Sequence, residues 1–116
     1  MSWLARIVEE RQGDVPIAAV EGEIDSSNAG ELAERVHTML TNRTHALVVD
    51  LERTRYIDSA GINMLFTLGA ELDQRQQRLH LVVAPASPIA RMLSITGLDA
   101  TVATHPTRDA ALAAAN

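Results

Sequence analysis

Two short apolar runs, Ala46-Leu47-Val48-Val49-Asp50-Leu51 and Leu79-His80-Leu81-Val82-Val83-Ala84, constrain this chain more than any other feature. Neither alternates apolar with polar residues as a strand with one wet face must; both have the pattern of strands buried on two faces in a parallel or mixed sheet. Such a sheet needs helices to cover it, and the segments around the runs supply them. From Ala29 to Leu40 the apolar residues Leu32, Val36, Met39 and Leu40 recur at spacings of 4, 3 and 1, which predicts an amphipathic helix behind the cap-rich stretch Gly22 to Asn28. Ile62, Leu65, Phe66, Gly69 and Leu72, spaced 3, 1, 3 and 3, predict a second helix that ends in the polar Gln74 to Arg78 stretch. Pro85 and Pro88 punctuate the start of a third, Ile89 to Ile95, which Gly97 stops. Thr101-Val102-Ala103 reads as a short last strand, and Thr107-Arg108-Asp109 opens an alanine-rich closing helix that ends near Ala115.

Ahead of these, Leu4 to Glu10 and Val15 to Glu21 flank Arg11-Gln12-Gly13-Asp14, a turn sequence that predicts an antiparallel hairpin. Pro16 cannot donate to a ladder and belongs at a strand start or with its nitrogen turned from a neighbour. The expected order is ββαβαβαβα: an α/β fold with a mainly parallel mixed sheet, an N-terminal hairpin and flanking helices. Leu47, Val49, Leu81, Val83, Ile62 and Leu65 are expected in one core. No repeat or linker divides the 116 residues, so residues 1–116 are read as a single domain.

Composition narrows the function. The chain has no Cys, which removes disulfides, cysteine-ligated zinc, iron–sulfur clusters and thiol catalysis together. A net charge of −5, with ten Arg and no Lys, argues against nucleic acid and anionic membranes, which both require a basic face. A protein or small-molecule partner is expected. There is no long apolar run, and Met1-Ser2-Trp3-Leu4-Ala5-Arg6 has no leader pattern, so the chain is expected to be cytoplasmic and complete from Met1.

Asp58-Ser59-Ala60-Gly61 lies at a helix start, where backbone N–H groups lack intrahelical partners. Two readings stand side by side: Asp58 or Ser59 is only the N-cap and Gly61 eases close packing, or the amides and dipole hold a phosphate. Of the histidines His37, His45, His80 and His105, no two lie within three to five residues and each falls on a different predicted element, so no metal site or cofactor is expected. A Ser59 nucleophile lacks the Gly-x-Ser-x-Gly elbow and a base in evident reach, which disfavours a hydrolase. Glu21, Glu23 and Asp25 alternate along a strand end, as a solvated face or a loose cation site. Met64 and Leu68, off the main apolar stripe, are either edge-of-core residues or contacts for a partner.

Gly22-Glu23-Ile24-Asp25 followed by Ala29 and Leu32, then Val48-Val49-Asp50-Leu51 six residues before Asp58-Ser59-Ala60-Gly61, then Ser87-Pro88, Arg91-Met92-Leu93 and Thr96-Gly97-Leu98, occur in an order that resembles the STAS-domain family over essentially the whole chain. Within it, the chain is most similar to the single-domain anti-sigma factor antagonists of bacteria. The resemblance implies a non-enzymatic binding switch. Ser59 would be phosphorylated by a kinase of the histidine-kinase-like ATPase type that is itself the anti-sigma factor, and a serine phosphatase would remove the phosphate. The unmodified protein, acting as a monomer, would capture the kinase and free the sigma factor. Asp25 and Asp58 would line the same end of the domain as Ser59, with Ala60, Gly61, Ile62, Asn63 and Met64 completing the partner-binding surface. Ala60 stands where the family often has a second hydroxyl, leaving Ser59 the only acceptor in the motif, and Asn63 stands where a glycine is frequent. The alternative is a ligand-sensing or scaffold module of the same fold that binds a nucleotide or a regulatory protein and is never phosphorylated. An appendage of an anion transporter is disfavoured because no membrane segment is present.

Overall fold

In the computed structural model the two apolar runs lie side by side: strands β3 (Ala46–Asp50) and β5 (Arg78–Val82) pair in parallel from Ala46↔Arg78 to Asp50↔Val82. The structure describes residues 4–116; the expectation of a leaderless start rests partly on Met1, Ser2 and Trp3, which lie outside the described residues. Before β3 come β1 (Ala5–Gln12), β2 (Val15–Ile24) and helix α1 (Ala29–Met39). After it come β4 (Thr54–Ile57), α2 (Ser59–Gln74), β5, α3 (Pro88–Thr96), a 3₁₀ turn at Leu98–Ala100, β6 (Ala103–His105) and α4 (Arg108–Ala115). The strand order is β1-β2-β3-β5-β6, with β4 beside the end of β2. Among the described residues only the β1–β2 hairpin is antiparallel, and Pro16 sits at its second strand's start, before β2 begins to pair with β3 at Ile17↔Val48.

Because side chains alternate across a strand, β3 and β5 serve two faces. Leu47, Val49, Leu79 and Leu81 point into the core formed with α1, α2 and α3, where Ile62, Leu65 and Val83 also lie; all six residues expected in one core are there. Val48 and Val82 point the other way and pack with Val15, Ile17, Ala111 and Leu112 under α4.

Two expectations need correction. The order gains a strand, β4, because Thr54-Arg55-Tyr56-Ile57 buries only its first and last residues and so shows no strand periodicity. What holds it is a buried hydrogen bond from the Thr54 hydroxyl to the Val20 carbonyl at 2.8 Å. The last strand is Ala103–His105, two residues later than Thr101-Val102-Ala103, since the Val102 amide closes the 3₁₀ turn onto Leu98 at 2.9 Å and its side chain enters the core. Leu68, for which an edge-of-core place and a partner contact both stood open, is 1% exposed and belongs to the core.

Candidate functional site

The site forms where β2 and β4 end together. Ile24 pairs with Ile57, and the Asp58 amide donates to the Ile24 carbonyl at 3.1 Å, so Asp25 and Asp58 leave the sheet from adjacent parallel strands. Open α/β sheets characteristically bind their ligands outside the carboxyl ends of such strands. Reaching this arrangement requires Gly22, whose φ of +108° carries a register shift in the β2–β4 pair; a Cβ there would stand 2.0 Å from the Leu4 carbonyl oxygen.

Asp58 caps α2. Its Oδ1 accepts from the amides of Ala60 at 2.9 Å and Gly61 at 3.1 Å, which satisfies two of the helix's orphan donors. The first turn then sits directly on the strand ends: a Cβ on Gly61 would lie 2.5 Å from Ile57 Cγ1 and 2.8 Å from Ile24 Cγ2. Across the gap, Asp25 Oδ1 accepts from the Ser27 amide at 2.8 Å and from the Ser27 hydroxyl. Those bonds, the hydroxyl's first, hold the Asp25 carboxyl below its ordinary range, so its tie to Ser27 is complete above that range and is lost only as the pH falls through the lowered value beneath it. Asn28, 1% exposed, joins the loop to β2 by donating to the Glu23 carbonyl at 2.8 Å and accepting from the Asp25 amide at 3.0 Å.

Ser59, the first residue of α2, is exposed, and its hydroxyl has no hydrogen-bond partner among the described residues. Of its neighbours, Asn63 is exposed, Ala60 and Met64 are half-buried, and Gly61 and Ile62 are buried. Ile62 therefore faces the core and not a partner. Ala60, Asn63 and Met64 line a shallow groove of about 280 Å³ against Ala29, Gly30 and Ala33 of α1. His37 and Glu71, 3.2 Å apart, stand at the same groove.

Of the two local readings of Asp58-Ser59-Ala60-Gly61, the structure shows the cap and the close packing of Gly61. The amides that could have received a phosphate are already occupied by the Asp58 carboxylate.

Elsewhere, two of the four histidines do converge: His80 Nδ1 and His105 Nε2 are 3.0 Å apart, because β5 and β6, far apart in sequence, pair in parallel. Sequence spacing carries no signal for this contact. Glu21 is engaged by Arg6 at 3.3 Å and Arg53 at 3.9 Å, and no cluster of three or more metal-ligating side chains occurs among the described residues. A larger cleft, about 440 Å³, opens on the opposite sheet face beside the start of α4. There Arg108 bridges the buried Asp50 and Glu10, each at 2.9 Å. Burial alone would weaken the guanidinium's hold on its proton, but the hydrogen bonds it donates to Asp50 and Glu10 raise its pKa above the ordinary arginine value.

Comparison with known proteins agrees with this architecture. An anti-sigma-B factor antagonist of Staphylococcus aureus is 32% identical over 79 residues, covering 68% of this chain and 72% of the relative. The anti-sigma-F factor antagonist RsfB of Mycobacterium tuberculosis is 30% identical over 87 residues, covering 75% and 70%. A crystal structure of an anti-sigma factor antagonist from Mycobacterium paratuberculosis superposes with a TM-score of 0.85 at 28% identity, covering 96% of this chain and 93% of that one. The family model described as Mlab, STAS domain, matches residues 7–104, from β1 into β6, and the chain belongs to the STAS domain family.

Proposed function

We propose that this protein is an anti-sigma factor antagonist, a non-enzymatic binding switch whose phosphoacceptor is Ser59. The observation that carries the reading is the position of Ser59. It is exposed at the first turn of α2 with its hydroxyl unengaged, while Asp58 and Gly61 on either side are committed to building the helix start. The names of the relatives point to the same role.

The physics of such a switch is local. Phosphorylation adds roughly −1.5 to −2 charges, at a helix N-terminus whose dipole tolerates them. With Asp58 holding the amides of Ala60 and Gly61, the new charge is presented to whatever docks over the α1–α2 groove. A partner that buries this surface meets the desolvation cost and any acidic group it carries opposite; a loss of about 3 kcal/mol is a factor of more than 100 in affinity. The expected partner in the unmodified state is an anti-sigma factor kinase of the histidine-kinase-like ATPase type, with a serine phosphatase resetting the switch. The setting is the cytoplasm and the protein acts as a monomer. Asp25, Asp58, Ala60, Asn63 and Met64 surround the docking surface, while Gly61 and Ile62 support it from beneath.

The test is phosphorylation by candidate kinases with ATP and mapping of the modified residue, followed by calorimetry of Ser59→Ala and Ser59→Glu against the anti-sigma factor. Ser59→Ala should resist modification and bind permanently; Ser59→Glu should fold normally and bind more weakly. Equal affinities refute the switch. A second reading, a ligand-sensing module that is never phosphorylated, draws support from the 440 Å³ cleft, whose charged lining pairs Arg6, Arg53 and Arg108 with Glu10, Glu21 and Asp50, and predicts no opposition between the two variants.

A further inference from the structure

We infer that β6 and α4 form an acid-released flap, fastened to the sheet by a hydrogen bond between His80 and His105 that accommodates only one proton between the two rings. This lies beyond the Ser59 switch, on the other face of the sheet.

His80 stands opposite Ala103 and His105 opposite Val82 in the parallel β5–β6 pair, so the two imidazoles are diagonal neighbours. They share a face with Val82, which packs under α4. Nδ1 of His80 and Nε2 of His105 are 3.0 Å apart, with ring centroids 5.1 Å apart. One nitrogen must donate and the other accept. The bond survives in the neutral pair and in the singly charged pair. A second charge sets N–H against N–H and brings two cations together where water is scarce, since His80 is only 5% exposed.

The surroundings offer no relief. On β5 itself stands the cation Arg78, and on β3 Asp50 is held by Arg108 of α4. Asp109, also on α4, is exposed. Helix α2 and the 3₁₀ turn pack on the opposite face through Leu65, Leu68, Leu72 and Leu98, which places Glu71, Asp73 and Asp99 beyond the sheet. No carboxylate among the described residues pairs with either imidazole. Burial first, then His105, then Arg78, depress the pKa of His80.

The segment is also lightly held. β6 has three residues and lies at the sheet edge, and α4 has eight. Besides the imidazole bond, the fastenings are the β5–β6 ladder with its Val83 amide to His105 carbonyl bond at 3.0 Å, the Arg108 fork, and Ala111 and Leu112 over Val48 and Val82.

The sign follows from linkage. A histidine depressed in the docked state takes up a proton when the flap opens. Docking is then fully stable above the ordinary imidazole value of about 6.5 and weakens as the pH falls through it, by up to about tenfold per pH unit for one proton taken up.

The experiment is amide hydrogen exchange on the full chain from pH 7.5 to 5.5, corrected for intrinsic rates, with imidazole titration by NMR. Protection across residues 103–115 should fall below pH 6.5, by up to about tenfold per pH unit, while residues 59–74 of α2 keep theirs. In His105→Gln, whose amide keeps one hydrogen bond to His80 without a second titrating ring, that selective loss should shrink. An unchanged acid response in this variant shows that the paired rings do not set it, whether His80 alone or carboxylates do, and overturns the proposal, as does uniform protection in the parent. Should the variant's flap stand open at every pH, the parent's rings decide: two separated titration steps support the shared proton, and two independent steps near 6.5 overturn it.

Discussion

The two faces of the sheet are built on different principles. On one, α1, α2 and α3 bury a continuous apolar cluster that runs from Ala5 and Ile7 through Leu47, Leu65 and Leu81 to Val102. On the other, α4 alone among the described helices covers Val15, Ile17, Val48 and Val82, and specific polar contacts supplement area: Arg108 on Asp50 and Glu10, His80 on His105. Burial of apolar area is insensitive to pH, whereas ionic and imidazole contacts are not. Ser59 belongs to the first face, at the head of a helix whose inner side is fixed by Ile62, Leu65, Leu68 and Leu72. A modification there has a rigid platform, so its effect is read by a partner as charge and not as refolding.

The sharpest way to break this contrast is a matched pair of truncations. Leu81→Ala, at a position with no exposure, should cost about 3–5 kcal/mol because the surrounding side chains cannot close the cavity. Leu112→Ala, 6% exposed on a short helix, should cost about 2 kcal/mol or less. Urea unfolding gives both numbers; equal losses would mean the thin face is as tightly packed as the thick one.

A smaller effect concerns the seat of α2. Glycine to alanine inside a helix ordinarily stabilises by about 0.5–1 kcal/mol. At Gly61 the new methyl would meet Ile57 and Ile24, branched side chains that are themselves buried, so a net loss of about 1–2 kcal/mol is expected. Gly30, at the start of α1, is the control: nothing lies within 4 Å of a Cβ there, and Gly30→Ala should be neutral or stabilising. Thermal unfolding of the two variants separates close packing from helix propensity, and shifts of the same sign would contradict the account of Gly61.

These contrasts also mark what was legible in the sequence. Helices α1 and α2 declare themselves by the helical spacing of their apolar residues, β3 and β5 by unbroken apolar runs buried at nearly every position, and α3 by the prolines and glycine that bound it; all are local features that a sequence displays. β4 escapes notice because it is fixed by the Thr54 hydroxyl on a strand thirty-four residues earlier, a long-range bond with no local signature. The motif Asp58-Ser59-Ala60-Gly61 gives the helix start, but not which oxygen fills the amides of Ala60 and Gly61; that required the β-region backbone of Asp58, at φ −103° and ψ −172°. For the same reason the contact of His80 with His105 was out of reach, since strand order decides it and spacing does not.

The smallest expected change in stability carries the finest distinction, whether Asp58 is a cap or something more. Both amide bonds fall on Oδ1, and Oδ2 has no partner among the described residues. Asp58→Asn can keep Oδ1 in place and put its amide nitrogen where Oδ2 was, so stability should change by no more than a few tenths of a kcal/mol, against about 1 kcal/mol for Asp58→Ala. What Asn removes is the negative charge beside the Ser59 hydroxyl. If that carboxylate orients the hydroxyl or a kinase-bound metal, Asp58→Asn should be phosphorylated far more slowly than the parent while melting at the same temperature. Modification at the parent's rate would reduce Asp58 to a helix cap, and the charge that matters at this end of the domain would then be the phosphate's alone.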